Sequence, residues 1–487
     1  MKKSLIKNLS LQTFLQILNT IIPLITTPYV SRKIGAPGLG RFSYATSVAA
    51  YFTLFAMLGT LNYGVRSIAE VRDDMHARSK RFIEIYFMQV VTVLLASLAY
   101  GCFLVVNKDD RVIFALQLIT LIGYLFDISW FFQGIEEFRI TVSVSMVIRI
   151  LSLAAIFIFV NSPDDLYIYT IIMLGSAVLW QGGLWFFLRG KVIFDPIKPA
   201  DVLKHIKPNV VLFIPLIAMT IFHYMDKTML GLLSTDEQSG YYYNVDKIIT
   251  IPLGIFTGIG TVMLPKMTFL FRSDEKKARI LLGQSVEGVL AVAVPMSLGI
   301  LAVADDFIPL FLGEEFSACI FLTKVLAPVL IVKGLSNALR AHYLIPAEKE
   351  RVYILSVVVG VVINICCNYI LIPKYDALGA EMATILAEIS VLLVELLMIS
   401  DVISIPGLIK QIIIYVLLGI IMLLTIRFSG MKIESLYIRL VVEMLTGVVV
   451  YSGLALLIWK ITGNMLYNEM IGHLKRLLLK GRKDEFK

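Results

Sequence analysis

Apolar residues fall along this chain in blocks of about 20, separated by short polar punctuation. A helix of that length crosses a hydrocarbon core of about 30 Å. A lipid-exposed strand or loop is excluded, because each unpaired backbone group in lipid costs several kcal/mol. The blocks predict helices at 10–30, 42–64, 82–106, 112–133, 140–160, 167–188, 209–232, 241–264, 285–304, 317–345, 352–372, 377–400, 408–426 and 438–460. The fold class is therefore all-α and polytopic, with about fourteen transmembrane helices.

Composition agrees. The 487 residues are 58% hydrophobic and 16% charged, where soluble domains carry about 25% charged residues. Mean hydropathy is +0.83. The four cysteines (Cys102, Cys319, Cys366, Cys367) lie in or beside apolar blocks and are expected to be packing residues. The start, MKKSLIKNLSLQTFLQ, has the lysines of a signal peptide, but the apolar run continues past Pro23 and Pro28 without a small-residue cleavage site. It is expected to stay as the first helix.

Charge then sets orientation. Lysines and arginines crowd the N-terminus, the segments 66–81, 189–207 and 265–283, and the tail, all of which share one side if every block crosses. The alternate loops NSPDD (161–165), STDEQSG (234–240) and DDFIPLFLGEE (305–315) carry none. The positive-inside rule puts both termini in the cytoplasm of a multi-pass cell-membrane protein. Arg32, Lys33 and Arg41 break the rule on the outer side. The net charge of +8 is a topology signal with a minor role toward acidic lipids, not a nucleic-acid footprint.

A duplication is visible at an offset of about 190–210 residues, or six helices. FFQGIEEFRI (131–140) answers YLIPAEKERV (343–352), and IIPLITTPYV (21–30) answers FIPLIAMTIF (213–222). GRFSYATS (40–47) answers GYYYNVDK (240–247), and NSPDDLYIYT (161–170) answers PKYDALGAEMAT (373–384). An even helix count makes the two six-helix repeats parallel, as in transporters built around a central site. The organisation expected is an N-terminal lobe at 1–207, a second lobe at 208–404, two accessory helices at 405–463 and a basic cytoplasmic tail at 464–487.

The segment PLITTPYVSRKIGAPGLGRFSYATS resembles the first-helix region of the Wzx-type oligosaccharide flippases of the multidrug/oligosaccharidyl-lipid/polysaccharide exporter superfamily. DISWFFQGIEEFR (127–139), YMDKTMLGLLSTDEQSGYYYNVDKI (224–248), LPKM (264–267) and ALGAEMATILAE (377–388) fit the same pattern. The resemblance runs from about residue 5 to 400, specific in combination and weak motif by motif. It implies two six-helix bundles plus two accessory helices working by alternating access. It also implies transfer of undecaprenyl-diphosphate-linked oligosaccharide to the outer leaflet for capsule, exopolysaccharide or O-antigen assembly. Partners would be that lipid, membrane lipids, and the polymerase and glycosyltransferases of the pathway. The superfamily also holds peptidoglycan-precursor flippases and cation-coupled drug exporters, which stay open as alternatives.

A diphosphate needs cations, and a cation inside a span is costly, so charges within spans are candidates. Those for substrate binding are Arg32, Lys33, Arg66, Arg149, Lys227, Lys247 and Arg340, with Lys333 beside them. Interfacial anchoring is the plainer reading for Arg32, Lys33 and Arg66, although Arg32 and Lys33 break the positive-inside pattern. For Arg149 the alternative is lipid anchoring or a structural ion pair, and for Lys227 and Lys247 it is pairing with Asp226 and Asp246. Asp127, Asp226, Asp246, Glu381 and Glu388 are coupling or structural acids. Glu381, Glu388 and Glu395 recur at seven residues and form one stripe on their helix. Pro23 and Pro215 are the hinge candidates, read as corresponding positions of the two halves. Trp130–Phe131–Phe132 and Tyr241–Tyr242–Tyr243 suit sugar stacking, with an aromatic belt as the plainer reading. No Walker motif, HExxH or large polar domain is present, so no enzyme activity, metal or cofactor is expected, and a membrane-embedded polymerase would need a large outer loop.

Overall fold

The computed structural model describes residues 2–107, 110–193, 196, 198–431 and 433–462, apart from the side chains of 2–20, Pro199, Pro215 and Thr462. The basic tail at 464–487 lies outside them. Ten helices are long and apolar enough to cross a membrane. Two of the ten hold two spans each. The first breaks at Gly35 (φ 75°, ψ 169°) and the other at Asp376 (φ 50°, ψ −128°). A helix bent by 48° at residue 215 and a shorter, broken apolar helix complete the set. The described residues thus hold fourteen crossing segments.

In chain order these are α1 (2–34), α2 (36–57, continued by Thr60–Glu70), α3 (Met75–Val106), α4 (111–134), α5 (Phe138–Phe159) and α6 (Leu166–Gly183). Then come α7 (Ile206–Leu233), α8 (Asp236–Ser273), α9 (Glu275–Leu312), α10 (318–344), α11 (350–375), α12 (377–398), α13 (Ile405–Gly430) and α14 (Leu436–Thr462). Where the sequence predicts whole helices at 112–133 and 317–345, α4 is three short pieces and α10 ends in a π-turn at Arg340–Leu344.

Helix α3 shows how sequence becomes element. Asp74 caps it, its Oδ1 accepting from the N–H groups of His76 (2.9 Å) and Ala77 (3.0 Å). Such a cap stabilises a helix by about 1 kcal/mol. Ile85, Gln89, Val93, Ala96 and Tyr100 recur at three- and four-residue steps and are buried, while Leu94, Leu95 and Leu98 on the other face are exposed. In a bilayer the exposed face meets lipid. Cys102 and Cys366 are exposed too, so the expectation that all four cysteines pack inside fails for two of them. A thiol is apolar enough to face lipid.

The chain falls into two compact units. The first holds residues 1–247, 312–319 and 357–387, so it ends inside α8 and takes in parts of α11 and α12. One of its cores surrounds Phe82, Trp130, Phe131 and Phe132, all fully buried. That removes Trp130–Phe132 from both roles expected of it, sugar stacking and aromatic belt. The indole N–H of Trp130 donates instead to Gln89 Oε1 at 2.9 Å. The second unit holds residues 248–311, 320–356 and 388–487, with a core built on Leu290, Leu335, Tyr343 and Tyr415.

The duplication reappears as repeated geometry. In the first unit α2 crosses α8 so closely that a β-carbon on Gly40 would lie 1.8 Å from the Asp236 carbonyl oxygen. One on Gly240 would lie 1.9 Å from that of Ala36. Ser31 Oγ donates to Asn244 Oδ1 at 2.8 Å, and Gly231 sits against Tyr44, the same pair of positions with the repeats exchanged. The turns at 131–140 and 343–352 match as well. Glu136 (φ 61°) and Glu348 (φ 56°) are both left-handed, and each meets an arginine, Arg72 and Arg272.

Candidate functional site

The most densely bonded charge in a span is Asp226, in the first unit. Its Oδ1 accepts from Nδ2 of Asn364 (2.8 Å) and Asn368 (2.6 Å), one helical turn apart on α11. Its Oδ2 accepts from Tyr242 Oη at 2.9 Å. Thr384 Oγ1 lies 2.9 Å from that oxygen and 2.9 Å from the Ala380 carbonyl, so its one proton serves either. All five side chains are buried, and among the described residues no lysine or arginine pairs with Asp226. Neutral donors replace the water that burial removed, which is the condition for a carboxylate to sit in a low-dielectric interior. Asn368 Oδ1 remains buried with no hydrogen-bond partner.

The two lysines that sequence places beside aspartates behave differently. Lys227 Nζ is 2.8 Å from Asp246 Oδ2, not from its neighbour Asp226. Lys247 has no carboxylate within ion-pair distance among the described residues. Its Nζ stands 4.2 Å from the centroid of the Tyr243 ring, a cation–π contact that leaves the positive charge uncancelled. Tyr242 is thus a ligand of Asp226 and Tyr243 the seat of Lys247, which gives the tyrosine run roles the sequence did not suggest.

The other candidates scatter. Arg32 is exposed at the end of α1 with its side chain over Gly313, and Lys33 Nζ is 6.0 Å from the Tyr29 ring centroid. Arg66 is exposed, 3.6 Å from Glu70 one turn on. Arg149 is half-buried and its Nε donates to Ser145 Oγ at 3.0 Å. Asp127 sits in a break of α4, where Oδ1 accepts the Ser129 N–H at 2.9 Å, a local structural bond. In the second unit Lys333 pairs with Glu388 at 3.3 Å and Arg340 with Glu395 at 2.7 Å, a two-rung ladder between α10 and α12. Ser356 Oγ also donates to Glu395 at 3.1 Å.

Pro23 lies twelve residues before the break at Gly35, whereas Pro215 lies further back from the end of α7 at Leu233. With Ser31 and Gly231 in register, Pro23 answers His223, and the two prolines differ in depth by about 12 Å of helix. They are not equivalent positions. The side chain of Pro215 lies outside the described residues. The backbone nevertheless bends there by 48°, between Ala200–Ile214 and Leu216–Leu233.

Two features escaped the sequence. One is the amide pair Asn364 and Asn368, whose signal was two asparagines four apart in an apolar run. The other is a buried network at Glu84, whose Oε2 meets His205 Nε2 at 2.8 Å while Oε1 accepts from Lys204 at 3.0 Å. Tyr63 Oη closes it, 2.6 Å from His205 Nδ1.

Comparison with known proteins adds the following. Residues 5–271 match a family model described as “Polysaccharide biosynthesis protein”. A “Putative O-antigen transporter” of Shigella dysenteriae is 23% identical over 407 residues, covering 80% of this chain and 98% of that one. One of the same description from Escherichia coli (strain K12) is 21% identical, covering 80% and 94%. Among solved structures, the “Lipid II flippase MurJ, inward closed conformation” superposes with a TM-score of 0.77 at 15% identity, covering 92% of this chain and 98% of that one. That likeness is one of fold.

Proposed function

The chain belongs to the polysaccharide biosynthesis protein family, and we propose that it is a flippase for lipid-linked oligosaccharides. It takes undecaprenyl-diphosphate-linked units from the cytoplasmic to the outer leaflet of a bacterial cell membrane. The observation that carries this reading is the match, over nearly their whole length, to relatives described as O-antigen transporters. The residues are compatible with such a cargo. Cations persist within or at the ends of spans without carboxylate partners, Lys247 and Arg149 foremost, and a diphosphate supplies the missing negative charge. Arg32 and Lys33 add positive charge at the end of α1, while Arg66, Lys227, Lys333 and Arg340 are engaged by acids.

In this reading residues 1–207 and 208–404 are the lobes that alternate access, 405–463 are accessory and both termini are cytoplasmic. The bend at residue 215 is the hinge. Asp226, with Asp127, Asp246, Glu381 and Glu388, belongs to the acids that couple transport or brace the fold, and the polymerase and glycosyltransferases of the pathway are the partners. The test is reconstitution of the purified protein in vesicles carrying a fluorescent undecaprenyl-diphosphate oligosaccharide. Movement of the labelled lipid between leaflets, blocked by excess unlabelled lipid, is the expected result. Transport of a cationic drug with no movement of the lipid would replace this reading by that of a drug exporter.

A further inference from the structure

The three glutamates of the α12 stripe meet different fates. Glu388 and Glu395 are neutralised by Lys333 and Arg340. Glu381, in the first unit, is fully buried, and neither carboxyl oxygen has a hydrogen-bond partner among the described residues. One turn away on its own helix, Ala377, Leu378 and Ile385 are apolar, and the hydroxyl of Thr384 is engaged by Asp226 and the Ala380 carbonyl. The titratable groups that face it from other elements are Asp246 of α8 and Cys319 of α10. Neither can donate to it as a cation, and Asp246 is already bound to Lys227.

Physical chemistry leaves one state for such a group. An ionised carboxylate with no donor, no cation and an acid facing it costs more than any packing gain returns, so the side chain keeps its proton. One turn along α12, Thr384 belongs to the cage of Asp226, whose carboxylate has every donor that Glu381 lacks. Carboxyls set in opposite surroundings are one way proteins give chemically alike groups different roles.

We propose that Glu381 is the proton-binding residue of transport, a neutral acid in the arrangement seen here that ionises when the packing around α12 opens to water. The proton comes from the aqueous phase, rests on a carboxyl oxygen and returns to water, and no other bond changes. The proposal rests on the chain being a transporter, and its test separates the two.

Infrared difference spectra of wild type against Glu381→Gln at neutral pH show a protonated-carboxyl band that the variant lacks. This readout needs no substrate. In vesicles, a pH gradient accelerates lipid-linked oligosaccharide movement by wild type, with up to about tenfold accumulation per pH unit for one coupled proton. Glu381→Gln reaches the membrane in normal amount and moves the lipid at a rate independent of the gradient. Absence of the band, or a wild-type rate indifferent to the gradient, overturns the proposal even if the variant does not fold. So does a variant that responds as wild type does. A wild type that shows the band yet moves no lipid under any gradient overturns the flippase reading instead.

Discussion

Gly40 and Gly240 each stand where a β-carbon would collide with the opposite helix, 1.8 Å from Asp236 O and 1.9 Å from Ala36 O. The two positions correspond in the duplication, so the single crossing of α2 and α8 carries the same contact from each side. Backbones approach this closely in membranes only where side chains are absent. Gly40→Val or Gly240→Val therefore forces α2 from α8, and overpacking of this kind costs about 1–3 kcal/mol or more. Thermal unfolding in detergent should show both variants melting below wild type, and a cysteine pair at Ser31 and Asn244 should lose its disulfide yield in either background. Unchanged melting would mean that the crossing is looser than the distances state.

The Arg340–Glu395 pair permits a test of a different kind, because the acid is fully buried and the arginine about a quarter exposed. Removing one partner of a buried pair costs about 3–5 kcal/mol, while replacing both with apolar residues is often neutral. Arg340→Met should thus be severely destabilised, and Arg340→Met with Glu395→Leu should recover most of the loss in the same melting assay. A double variant no better than the single one would show that Arg340 does more than neutralise Glu395.

How far the sequence reached follows from what each feature depends on. Span length and apolarity are local, so all fourteen segments were legible, and so was the repeated turn whose Glu136 and Glu348 share a left-handed backbone. Which charges neutralise one another is not local. Lys227 stands beside Asp226 in sequence yet bonds Asp246, since adjacent residues on a helix point about 100° apart and cannot face the same neighbour. The stripe Glu381, Glu388 and Glu395 was visible, but its division into one unpartnered and two paired acids depends on where α10 places Lys333 and Arg340. The equivalence of Pro23 and Pro215 was misread because similar apolar motifs slide freely along a helix, and only tertiary contacts fix the register.

Orientation is open to a direct chemical test. Thr235 and Ser273 are exposed at opposite ends of α8, a single long helix. With both termini cytoplasmic, Thr235→Cys in a background lacking the four native cysteines should react with a membrane-impermeant thiol reagent added to intact cells. Ser273→Cys should react only after the cells are opened. The reverse pattern would invert the topology.

Lys227 and Lys247 offer the sharpest test of substrate recognition, because they share a charge and a neighbourhood but not a partner. Lys227 neutralises Asp246, so Lys227→Ala removes the cation of a largely buried pair and should lower stability and membrane abundance together. Lys247 neutralises no acid among the described residues and rests on Tyr243, so Lys247→Ala should leave abundance near wild type. If its charge meets the diphosphate, its loss removes a charge-assisted contact of about 1.5–3 kcal/mol, and transport should fall at least tenfold. Lys247→Arg keeps the charge and the stacking surface and should retain much of the activity. Arg32→Ala and Arg149→Ala, measured alongside, show whether the clasp extends to α1 and α5. Normal transport by Lys247→Ala would move the diphosphate away from α8 and leave Lys247 as a cation held by an aromatic ring alone.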